Sequence, residues 1–148
     1  MTVPLFAFEA VTVRFGDHVV LALYGHLIDE RRWDELDRVF VPDAVYDATD
    51  FDMPVTRSLA ELVAEWTSEE GMTRHPLAHH STNVVVLEDD DGTVRVLSKG
   101  IGVGAGGRVG SVTYRDVAVR VDGGWRLASR TAVLRRAPEH TDQTRGGP

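Results

Sequence analysis

The 148-residue sequence predicts an α+β fold in which helices come first and a curved, mostly antiparallel sheet follows. Three observations predict it. Apolar residues recur at helical spacing through the first half, and β-branched residues take over from His79 onward. The later segments are separated only by Asp91-Gly92, Gly106-Gly107 and Gly123-Gly124, turns that join antiparallel neighbours.

The first helix starts near Asp17, a suitable N-cap, and runs to about Asp29. Leu21, Gly25 and Ile28 form one line on it, widened into a stripe by Val20, Leu23 and Leu27. A short second helix is expected over Trp33 to Phe40, stopped by Pro42, and a short strand over Ala44 to Ala48. Thr56 or Ser58 caps a third helix carrying Leu59, Leu62, Val63 and Trp66, which Gly71 ends. Strands follow at His79 to Glu88, Val94 to about Ala105, Val109 to Val121 and Trp125 to Arg136, giving the order α-α-β-α-β-β-β-β. Residues 1–136 then form a single domain, and 137–148 form a polar, breaker-rich, flexible tail.

Composition narrows the function. The absence of cysteine removes thiol nucleophiles, disulfide frameworks, zinc fingers and iron–sulfur clusters. A net charge of −7, with no basic cluster longer than two residues, argues against a nucleic-acid partner. No run of 18 apolar residues and no basic leader is present, so neither a membrane nor secretion is expected, and the default location is cytoplasmic. Gly100, Gly102, Gly104, Gly106 and Gly107 precede no helix, so they read as bends in a curved sheet rather than a phosphate loop. Helices laid across the concave side of such a sheet enclose a pocket, the natural place for a small ligand.

Several stretches resemble the SnoaL-like branch of the NTF2-like superfamily. They are Tyr24-Gly-His-Leu-Ile-Asp29 with Trp33 and Leu36, Phe40-Val-Pro-Asp43-Ala-Val-Tyr46, His79-His80-Ser-Thr-Asn83, Tyr114-Arg-Asp116, and Gly124-Trp125-Arg126 with Arg130. The resemblance covers about Asp17 to Arg136. It implies a cone-shaped barrel of three N-terminal helices on the sheet, a site inside the cone, and a homodimer formed through the sheet. It also implies chemistry without metal or organic cofactor on a hydrophobic small molecule. Scytalone dehydratase, the bile-acid dehydratase, ketosteroid isomerase, polyketide cyclases and limonene epoxide hydrolase are among the relatives so implied. Carried over from the dehydratases, the acid is Asp29, its partner is His79 or His80, and the tyrosines holding substrate are Tyr24 and Tyr46. A second histidine that scytalone dehydratase takes from a later strand has no counterpart between Arg108 and Tyr114.

The residues weigh as follows. On an ideal helix Asp29 falls about 80° to one side of the Leu21–Gly25–Ile28 line and Tyr24 about 60° to the other, so both can border one pocket. A solvated helix-end carboxylate is the plainer reading of Asp29. His79 and His80 open a strand and point to opposite faces, so only one faces the pocket. The resemblance favours His79, which shares its side with Ser81 and Asn83. His75 and His79 do not make a helical metal-ligand pair, because Pro76 stands between them, and no metal is expected. Tyr114, Asp116, Asn83, Arg130 and Trp66 are the candidate substrate-binding residues. Asp116 and Arg130 read equally as a cross-strand ion pair, and Trp66 as core.

A neutral imidazole suits removal of a C–H proton beside a carbonyl, and a carboxylate fixes its tautomer. The expected activity is therefore that of a cofactor-independent lyase or isomerase of dehydratase type acting on a polycyclic or polyketide-like molecule. The alternatives are a polyketide cyclase or epoxide hydrolase in the same cavity, or a non-catalytic binding and dimerisation module.

Overall fold

The computed structural model describes residues 19–88, 93–122 and 124–136. The expected Asp17 cap, the Asp91-Gly92 turn, Gly123 and the 137–148 tail lie outside them. Helix α1 occupies 19–29 and ends in a Schellman turn. The Arg32 amide donates to the Leu27 carbonyl at 2.8 Å and the Arg31 amide to Ile28 at 3.1 Å. Arg31 takes the left-handed conformation (φ 57°) that glycine usually fills.

A 3₁₀ turn, Trp33–Arg38, replaces the expected second helix. Strand β1, Phe40–Asp47, begins earlier than the expected Ala44 and includes Pro42 rather than being preceded by it. The β1–β5 register shifts between Phe40 and Val45, and β1 is the edge of the sheet. A proline lacking its N–H is tolerated at such a place.

Helix α2, Leu59–Thr67, is capped by Ser58, whose hydroxyl accepts from the Glu61 amide. It is followed by an unforeseen helix α3, Glu69–Arg74. Ser68 serves both, closing α2 and accepting from the Gly71 amide at 3.0 Å. Gly71 therefore does not end the third helix. It lies in α3, packed so closely on the backbone of Glu65 and Trp66 that a side chain would collide.

Strands β2 (Ala78–Glu88), β3 (Val94–Val103), β4 (Val109–Val121) and β5 (Gly124–Leu134) complete a five-stranded sheet in the order β1-β5-β4-β3-β2. All pairings are antiparallel except β1 with β5. The inner face carries Val94, Val96 and Ser98 of β3, Tyr114, Asp116 and Ala118 of β4, and Leu127, Arg130 and Ala132 of β5. Leu127 and Arg130 are three apart yet both buried, because the register slips by one residue opposite Val117–Ala118.

Helix α1 closes this face. Its Tyr24, Leu27 and Ile28 join Phe40, Tyr46, Leu62 and Trp66 in one buried cluster. No helix among the described residues is long and apolar enough to cross a membrane.

Candidate active site

Three features of the sequence bring α1 and β2 together. Gly25 has no side chain where the helix meets the carbonyl of His79. Ser81 reaches the Leu21 carbonyl at 3.5 Å. Asp29, at the helix end, accepts the backbone amide of His79 with both carboxylate oxygens at 3.1 Å. The same carboxylate lies 2.7 Å from Nδ1 of the His79 ring. A carboxylate at a helix C-terminus opposes the helix dipole, and these three bonds compensate it. The pair is partly shielded, with side-chain exposures of 12% for His79 and 24% for Asp29.

The His79 ring stands on the wall of a cavity of about 700 Å³, together with Tyr24, Tyr46, Trp66 and Tyr114. Tyr24 and Tyr46 share a hydrogen bond between their hydroxyls at 3.1 Å. Burial raises the Tyr24 hydroxyl well above its ordinary pKa, with Tyr46 adding to the effect and Arg130 opposing it. Burial likewise raises Tyr46 and Tyr114. All three hydroxyls stay protonated at neutral pH. Trp66 is both core and wall, 3% exposed and edge-on to Tyr24 and Tyr46.

Four sequence candidates fall elsewhere. His80 is exposed and paired with Ile101 on the outer side of the sheet, so of the two His79 faces the cavity. Asn83 is also exposed, with φ 52°, and its side chain accepts from Thr82. A bulge between Thr82 and Val85 breaks the alternation that would have put Asn83 beside His79. Asp116 and Arg130 do not reach the cavity wall. They form a two-pronged ion pair, both bonds 2.8 Å, with side chains 0% exposed. The guanidinium lies between the Tyr24 and Tyr114 rings, 4.2 and 4.1 Å from their centroids. The pair therefore supports the tyrosine wall from behind.

His75 belongs to the wall as well. Its ring packs on Trp33, Trp66 and His79, with centroids 5.4, 5.5 and 6.2 Å away. Burial, then Arg31 and His79, push its pKa down to about 4, so it is neutral at ordinary pH. The sequence signal for it was the following Pro76, which holds the preceding residue extended as it leaves α3. Among the described residues no three His, Cys, Asp or Glu side chains gather as a metal site would require.

A model of the SnoaL-like domain family, SnoaL_4, matches residues 18–131. The chain belongs to the SnoaL-like family. The uncharacterized protein Rv2910c of Mycobacterium tuberculosis is 33% identical over 122 residues, 75% of this chain and 78% of that one. Among solved structures, an NTF2-like protein with a cystatin-like fold from Novosphingobium aromaticivorans superposes with a TM-score of 0.68 at 20% identity. That likeness covers 90% of this chain and 88% of that one. LinA superposes with a TM-score of 0.71 at 14% identity, covering 88% and 90% of the two chains. These likenesses give the SnoaL-like chain its fold: NTF2-like, α+β, with a curved five-stranded sheet.

Proposed function

We propose that this SnoaL-like protein is a cofactor-independent lyase or isomerase of dehydratase type, acting on a hydrophobic polycyclic or polyketide-like hydroxyketone. The observation that carries the reading is the 2.7 Å contact between Asp29 and His79 Nδ1 on the wall of an aromatic-lined cavity. With Nδ1 held by the carboxylate, Nε2 is the basic nitrogen. It removes a proton from the carbon next to the substrate carbonyl, and Asp29 stabilises the imidazolium that forms.

The enolate oxygen accepts a hydrogen bond from the Tyr24–Tyr46 pair. Their raised pKa values suit them to donate without giving the proton up. The β-carbon–oxygen bond then breaks, and the imidazolium returns its proton to the departing hydroxide, releasing water. An apolar cavity strengthens each of these interactions by limiting water.

Burial of Asp116 and Arg130 away from the cavity disfavours epoxide opening by that pair. The homodimer fits the outer sheet face, where Val85, Leu97 and Ile101 stand exposed. Sedimentation as a monomer at micromolar concentration would remove that part of the reading.

The β-hydroxy derivative of α-tetralone is a suitable test substrate, because loss of water gives the strongly absorbing α-naphthol. The wild-type protein accelerates this loss and His79→Ala does not. Equal rates in the two proteins would overturn the assignment.

A further inference from the structure

Among the described residues, His75 is the one histidine on the cavity wall that the proposed chemistry leaves unused. It sits between α3 and β2, where Pro76 fixes its backbone and packs over Gly102 of β3, leaving room for no larger residue without a shift. Its ring is wedged among Trp33, Trp66 and His79. Nε2 is fully buried and has no hydrogen-bond partner among the described residues. Nδ1 likewise has no bond to any described residue, but it is not one of the shut-off atoms.

Other polar groups of the wall already have partners. The tyrosines Tyr24 and Tyr46 bond to each other, and His79 Nδ1 bonds to Asp29. Nδ1 is therefore the ring nitrogen that a molecule in the cavity can reach, and it stands there without a partner among the described residues.

We infer that His75 is a substrate-binding residue, whose Nδ1, the ring nitrogen that is not shut off from the cavity, takes a hydrogen bond with a hydroxyl group carried on the apolar body of the ligand. A hydroxyl both donates and accepts, so it suits either neutral tautomer. Burial favours the neutral ring and so disfavours a salt link as the basis of recognition. The 6.2 Å between the two imidazoles is a distance that one fused bicyclic molecule spans, so a hydroxyl seated at His75 fixes which carbon faces His79. His75 thereby sets regiochemistry, while Asp29 and His79 move the proton. The inference rests on the cavity being the substrate site, as proposed above, but not on the proton chemistry.

Binding therefore tests it separately from turnover. Naphthalene and β-naphthol share one apolar body and differ by a hydroxyl. The wild-type protein binds β-naphthol about tenfold more tightly, the worth of one good hydrogen bond. In His75→Phe that preference vanishes while naphthalene affinity is kept, which also reports an intact cavity. In the unaltered protein, the ring-nitrogen NMR signals of His75 move with β-naphthol and stay put with naphthalene. A preference retained in His75→Phe, binding of neither probe, or unmoved His75 nitrogens would overturn the assignment. Loss of dehydration with this binding pattern intact would instead count against the proton chemistry alone.

Discussion

Gly25 and His79 meet main chain to main chain: a methyl group on Gly25 would lie 2.7 Å from the His79 carbonyl oxygen. The approach sets the distance between the end of α1 and the start of β2, and so the fit of Asp29 on the His79 ring. Gly25→Ala forces the helix away, and overpacking of this kind costs about 1–3 kcal/mol. Its larger effect is on chemistry, because small misplacement of an acid–base pair costs about a hundredfold in rate. Urea unfolding and turnover measured on the same preparation check both; an unchanged rate would separate Gly25 from the site.

The sequence made the sheet easy to read and parts of the site hard. Alternation and glycine turns placed β4 at Val109–Val121 to the residue, since a strand's period is insensitive to what packs on it. The places of Asp29 and Tyr24 beside one cavity were legible because family motif and helical angle agreed, and those of His79 and Tyr46 came from the motif alone. Asn83 was misplaced because a single inserted residue reverses every later side chain, and a bulge leaves no mark in composition. The Asp116–Arg130 pair was visible as a pairing across β4 and β5, but not its depth. That depth depends on a second bulge, which turns Leu127 and Arg130 to the same side. Pro42 and Gly71 misled for a related reason: one sits on an edge strand and the other fills a tight packing gap, where neither breaks anything.

Removing the Asp116 carboxylate leaves the Arg130 charge buried between two tyrosine rings without its counter-ion. Asp116→Ala should cost about 3–5 kcal/mol, read as a lowered midpoint in urea. Arg130→Lys should also fall below the wild-type value, because an ammonium cannot make the two-pronged contact or lie flat against the rings. A cost of less than about 1 kcal/mol, the range of surface ion pairs, would contradict the burial of the pair.

His75 ties stability to pH. Its ordinary pKa is 6.5, and in the folded protein burial, then Arg31 and His79, lower it to about 4, with Asp29 opposing. The unfolded chain therefore binds the proton first as pH falls. The contribution from neutral His75 is fully present above 6.5 and is lost as pH falls towards about 4. Urea midpoints across that window should fall less steeply in His75→Phe than in the wild-type protein. Parallel slopes would show that the ring titrates normally.

Tyr46→Phe removes one hydroxyl of the pair bonded at 3.1 Å and leaves its ring against Trp66 and Phe40. Loss of one donor to a developing oxyanion is worth about a hundredfold or more in kcat. The expected result is a fall in kcat with little change in KM, since the aromatic wall that binds the substrate body survives. A rise in KM at constant kcat would assign the hydroxyl to ground-state binding.

Proton removal itself gives the most direct trial. The wild-type protein should exchange the hydrogens beside the carbonyl of α-tetralone for deuterium in heavy water, followed by NMR. No leaving group is involved, so the measurement sees only the base. In Asp29→Asn and His79→Ala the exchange should drop at least about a hundredfold, the scale of a lost general base. Exchange at the wild-type rate in either variant would contradict the account.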